Sequence, residues 1–96
     1  MKYIFIKWMH NNPEYPVLLY SELDDFRFET RKMEIFPDGR KGYVSESEEF
    51  GETRLGIEPV PPITEIAKDP EFVPQEITQE EFERIWSERN MDYRLA

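Results

Sequence analysis

Cysteine is absent from the 96 residues, which excludes disulfides, thiol nucleophiles and Cys-ligated zinc, iron–sulfur or copper sites. Histidine occurs once, at His10, so any metal site would have to be built from carboxylates, and no Asp-x-Asp-x-Asp-Gly calcium loop occurs. The four glycines, at 39, 42, 51 and 56, are too scattered to cradle a phosphate. No apolar run approaches the ~20 residues that span a bilayer, so no membrane partner is expected. The opening stretch Met1–Lys7 is too short and too interrupted by lysine for a signal-peptide core. A small domain without disulfide staples is therefore expected in the reducing cytoplasm, with no metal and no cofactor. Positive charge is scarce as well: 12 Lys and Arg stand against 21 Asp and Glu, a net charge of −9. A generally basic nucleic-acid binder is excluded, because phosphate neutralisation needs clustered cations.

What is present is enough to fold. Leu, Ile, Val and Phe make up a quarter of the chain, above the level that accompanies disorder in highly charged sequences. Fourteen aromatic residues add large burial per residue, which a domain this small needs. The charge is segregated. Residues 1–45 hold seven cations and seven carboxylates, whereas residues 46–96 hold five and fourteen, so the whole excess lies in the second half. Most of the prolines lie there too. The expected organisation is one domain over 1–96: a sheet in 1–45, an acidic, proline-punctuated arm in 46–77, and a helix over 78–93.

Lys2–Met9 reads as a strand apolar on both faces, with Ile4, Ile6 and Trp8 on one and Tyr3, Phe5 and Met9 on the other. Val17–Leu23 is a second strand after a loop rich in Asn and Pro. Phe26–Phe36 and Arg40–Ser45 form a hairpin about Pro37-Asp38-Gly39. Proline suits the second position of a type I turn and Gly39 the left-handed bulge, which pairs Phe36 with Arg40 and places Met33, Ile35 and Tyr43 on one face. A two-residue loop would instead set Met33 beside Val44. Glu46–Glu52 reads as a solvated loop, Leu55–Ile57 as a short edge strand and Glu58–Pro62 as stiff and extended. Pro62 suits the start of a short helix over Ile63, Ile66 and Ala67, halted by Asp69-Pro70. Thr78-x-x-Glu81 is a capping box, with Ile77 and Phe82 at the staple positions and Phe82, Ile85, Trp86 and Arg89 on one helical stripe. Arg89 and Arg94 lie toward the negative end of that helix's dipole. The expected fold is α+β: a four- or five-stranded, mainly antiparallel sheet, the C-terminal helix on one face and a proline-rich arm. Tyr3, Phe5 and Met9 are left for the arm, or a second copy of the chain, to cover.

Three groups of residues are candidates for function. Glu46, Glu48, Glu49 and Glu52 form an acidic stretch suited to a basic protein partner. Arg27, Arg31, Arg40 and Lys41 interleave with aromatics, Tyr43 among them, as single-stranded nucleic-acid platforms do. Against that stands cross-strand pairing with Glu29, Glu34 and Asp38. His10 would line a pocket with Tyr20 and Glu22 if the first two strands pair. No spacing among the serines, carboxylates and the lone histidine sets up a catalytic constellation, and no catalytic residue is assigned.

The order of phrases is itself distinctive. Lys7-Trp8-x-His10 is followed by Pro16-Val17-Leu18-Leu19-Tyr20-Ser21-Glu22-Leu23, then by Arg31-Lys32-x-Glu34-Ile35-Phe36-x-Asp38-Gly39-Arg40-x-Gly42-Tyr43. Leu55-Gly56-x-Glu58-Pro59-x-Pro61 and the helix phrase Glu80–Trp86 complete it. The chain resembles a family of small acidic bacterial proteins known only as a domain of unknown function. The resemblance covers nearly the whole chain apart from the tail Asp92–Ala96, which is expected to fray. It implies a single-domain bacterial protein and brings no activity, substrate or site with it. The expected function is a non-enzymatic protein-interaction domain, a cytoplasmic neutraliser of the immunity type, whose acidic second half meets a basic partner. The alternative is a nucleic-acid or nucleotide binder using hairpin 27–43. The protein itself is expected as a monomer or homodimer.

Overall fold

A computed structural model describes residues 1–91; the helix expected over 78–93 ends within them at Ser87, while the expected fraying of 92–96 and Arg94 lie outside the described residues. Alternating aliphatic and aromatic residues build β1 (Lys2–Trp8), which pairs antiparallel with β2 (Leu18–Leu23). β3 (Glu29–Ile35) and β4 (Lys41–Val44) extend the sheet on one side, followed by β5 (Glu49–Phe50). β6 (Phe72–Ile77) joins the other side of β1, giving six antiparallel strands in the order β5-β4-β3-β2-β1-β6. Among the described residues two helices complete the α+β fold: α1 (Ile63–Ile66) and α2 (Gln79–Ser87).

The β3–β4 hairpin takes the register that Pro37 favours. Phe36 N–H donates to the Arg40 carbonyl, Gly39 adopts a φ of 91° and Met33 pairs with Tyr43. The short helix forms at Ile63–Ile66, directly after Pro62. The capping box also forms: Thr78 Oγ1 accepts from Glu81 N–H while the Glu81 carboxylate accepts from Thr78 N–H.

Two expectations about the strands need correction. Four or five strands become six, because 46–77 contributes two of them. The strand added beside β1, the edge strand β6, contains Pro74, which normally argues against a strand. Met9 N–H donates to the Glu71 carbonyl, and by the antiparallel alternation Val73, Gln75 and Ile77 point their backbone groups at β1. Pro74 therefore falls where its missing N–H faces outward, as an edge strand tolerates. At the other edge, the added strand is Glu49–Phe50, read as loop, whereas Leu55–Ile57 forms no strand and Gly56 N–H donates 2.7 Å to Glu29 Oε1.

The two sheet faces are covered in the opposite sense to expectation. Helix α2 lies on the face of Tyr3, with the Tyr3 and Phe82 rings 5.2 Å apart. The register carries that face through Glu22, Arg31, Met33 and Tyr43. The arm crosses the Ile4 face. Thr53 Oγ1 donates 2.7 Å to Glu34, Gly56 is held by Glu29, and α1 packs beside β6. The helix takes the Tyr3 face because its aromatic stripe supplies ring partners there. The arm takes the other because Glu29, itself held by Ser21, accepts from the Gly56 backbone and Glu34 accepts from the Thr53 hydroxyl. Ile4, Leu23, Met33, Val44 and Phe82 form the buried core with Tyr3.

Candidate functional site

Glu22 and Arg31 sit opposite one another on β2 and β3, under α2. Thr30, the extra residue of a bulge in this pair, donates 2.8 Å to Glu22 Oε1. Arg31 grips Glu22 through Nε and Nη2, at 2.9 and 2.6 Å, and reaches up to Glu83 on the helix through Nη1 and Nη2, at 2.9 and 2.8 Å. Its guanidinium also lies 4.9 Å from the Phe82 ring centre and 5.2 Å from that of Trp86. These hydrogen bonds hold the Glu22 and Glu83 carboxylates below the usual range and Arg31 above its own. Burial raises the Tyr3 hydroxyl, with adjacent Glu22 adding to the rise, and burial likewise raises Tyr20. With all its polar groups engaged, this cluster ties sheet to helix and leaves little with which to bind a ligand.

The pocket expected from His10, Tyr20 and Glu22 is not assembled. The first two strands do pair, but Tyr20 lies opposite Phe5 and Glu22 opposite Tyr3, several residues along from His10. His10 instead locks the β1–β2 loop, with Nε2 2.7 Å from the Pro16 carbonyl and Nδ1 accepting from Asn12 N–H. Its ring meets Trp8 edge-on, and Trp8 stacks in turn on Tyr15.

The basic–aromatic hairpin is dispersed. Arg27 clamps the arm, donating 2.7 and 2.8 Å to the Val60 and Pro61 carbonyls. Arg31 is spent on its two glutamates, and Lys32 faces Glu29 on the arm side at 3.5 Å. Arg40, Lys41 and Tyr43 remain together, and Phe36, Phe50 and Arg89 join them around a groove of about 660 Å³. Tyr43 and Phe50, cross-strand partners, stack with ring centres 5.3 Å apart. Phe50 and Arg89 were missed because Phe50 was read within a solvated loop and Arg89 only as part of a helix stripe. The place of Arg89 seven residues after Phe82 on the helical stripe was its one sequence signal, and Phe50 had none.

The four acidic candidates lie on the β4–β5 turn and just beyond, all exposed. Glu48 pairs with Arg89 at 2.6 Å and Glu49 with Arg54 at 3.9 Å, while among the described residues Glu46 and Glu52 make no ion pair. No cluster of three or more His, Cys, Asp or Glu side chains among the described residues is placed to hold a metal ion. No helix among them is long and apolar enough to cross a membrane.

The fold and its contents define a small α+β domain: an antiparallel sheet roofed by one helix and floored by an irregular arm. The chain belongs to the family described as a domain of unknown function (DUF6881), whose model matches residues 2–91. No curated protein and no solved structure matches it.

Proposed function

We propose that this is a non-enzymatic interaction domain of the cytoplasm that engages a basic protein through its acidic second half, in the manner of a neutralising immunity protein. One observation carries this reading: among the described residues, internal ion pairs engage most of the cations but fewer than half of the carboxylates. Lys2, Arg31, Lys32, Arg40, Arg54, Lys68 and Arg89 all sit in ion pairs, and Arg27 is committed to the arm. Among the described residues Glu46, Glu52, Glu58 and Glu80 are exposed and make no ion pair. The uncompensated field is therefore negative and solvated, the condition under which complementary charge speeds encounter and rejects like-charged partners. A strand-binding reading of hairpin 27–43 is disfavoured by the same pairing, since Arg27 and Arg31 are turned to other tasks.

The test is affinity capture with the intact chain at low ionic strength, followed by titration of any recovered protein. The expected result is a basic partner whose affinity falls with added salt and falls again in Glu46→Gln/Glu52→Gln. Recovery of no basic partner, or binding indifferent to salt, overturns the proposal.

A further inference from the structure

We infer that the groove beside β4 and β5 binds a single nucleoside monophosphate, its base on Phe50 and its phosphate at Arg40. The inference stands independently of the acidic surface. Phe50 is 58% exposed although it is a large aromatic residue on an edge strand. Tyr43 stacks against one face of it at an interplanar angle of 17°, which fixes the ring and leaves its outer face for a flat base. The volume of about 660 Å³ lies within the range of roughly 300 to 1,000 Å³ usual for small-ligand sites.

Charge narrows the ligand. The Arg40 guanidinium lies 4.7 Å from the Phe36 ring centre and pairs with Asp38 at 2.9 Å, both side chains about half exposed. Such a surface pair contributes little, whereas a phosphate offers arginine stronger, bidentate hydrogen bonds. Arg89 and Lys41 also line the groove but are held elsewhere, Arg89 by Glu48 at 2.6 Å and the Trp86 carbonyl and Lys41 by the Glu88 carbonyl, which leaves Arg40 as the phosphate ligand. A ligand that is only anionic would meet repulsion from Glu52 on the rim. A nucleotide meets both signs: its phosphate answers Arg40, and its ribose hydroxyls or base amine donate to the carboxylate. Size decides between one nucleotide and a strand. A strand needs a continued cationic track, and Arg27, Arg31 and Lys32 supply none because each is engaged elsewhere.

The experiment titrates the intact chain with adenosine monophosphate, adenosine, inorganic phosphate and a short single-stranded RNA, followed by NMR. Saturable shifts confined to the groove, at Arg40, Tyr43, Phe50 and Gly51, are expected with the nucleotide. Affinity should fall roughly ten- to hundredfold in Phe50→Leu, the range that base stacking supplies, and also in Arg40→Gln. Phe50→Leu keeps an apolar side chain on the edge strand and loses only the flat ring, and unchanged resonances elsewhere establish that both variants fold. Adenosine and inorganic phosphate should each bind far more weakly than the nucleotide. Absence of nucleotide shifts at the groove, or unchanged affinity in both variants, overturns the inference. Binding by RNA alone overturns the single-nucleotide size.

Discussion

Arg27 is the one non-glycine residue among those described with a positive φ, 68°. The left-handed conformation costs an L-residue about 1–2 kcal/mol, so the surroundings must impose it. Asp24 does so from one side, its carboxylate accepting from Phe26 and Phe28 N–H, and the arm from the other, through Val60 N–H on the Arg27 carbonyl. Arg27→Ala should destabilise the protein, because the strain remains and the clamp on Val60 and Pro61 is lost. Arg27→Gly should be less destabilising by about 1 kcal/mol, the strain being relieved; equal urea midpoints for the two would refute this. Gly42 makes the complementary case, set by space alone. A Cβ there would overlap Thr53 Oγ1, which is buried and held by Glu34, so the hydroxyl has nowhere to go. Gly42→Ala should cost about 1–3 kcal/mol by overpacking. In a double-mutant cycle with Thr53→Ala, much of that cost should disappear, whereas strictly additive values would count against the contact.

Among the elements, those with local signatures were legible and those with tertiary causes were not. The hairpin at Pro37–Gly39 and the capping box at Thr78 rest on backbone chemistry confined to a few residues, and both form as expected. β6 was invisible because a proline in a six-residue run contradicts a strand unless the strand is an edge and the proline faces out. Neither condition can be read before the neighbours are known. β5 was invisible because two residues carry no periodicity, and the site aromatic Phe50 went with it. The exchange of the two sheet faces has a similar origin: apolar residues on both sides of β1 do not say which cover goes where. Tyr43 and the two cations of the groove were legible as a basic–aromatic phrase, but their separation from Arg27 and Arg31 depended on cross-strand partners. Pro74 also supports a prediction at this scale. By removing an outward donor it blunts the longer of the two sheet edges. Pro74→Val restores that donor on a strand of favourable propensity, so self-association should rise with concentration in sedimentation velocity. An unchanged monomer–oligomer distribution would show that the edge is protected by other means.

Across the whole molecule, the Glu22–Arg31–Glu83 cluster joins sheet to helix and sets the response to acid. In the unfolded chain both glutamates titrate near the ordinary value of about 4.3. In the folded chain Arg31 holds them lower, so the native state binds fewer protons than the unfolded state in that window. The stability they provide is full above the unfolded value and is lost as the pH falls through the folded ones. Arg31→Met should reverse the sign for Glu22. Only 7% exposed and without its cation, the Glu22 carboxylate is left with a desolvation cost that pushes its pKa above the unfolded value. Stability would then rise as the pH falls from the raised folded value to the unfolded one, a window lying above that of the wild type. At neutral pH the variant should lose about 3–5 kcal/mol, the usual cost of stranding a buried charge. Glu22→Gln/Arg31→Met should recover a substantial part, since it removes both charges and leaves an amide that can still accept from Thr30. Urea unfolding of the wild-type chain and both variants between about pH 3 and pH 7 compares the slopes directly. Parallel pH profiles for the wild type and Arg31→Met would show that the acid response belongs to the dispersed surface carboxylates and not to this cluster.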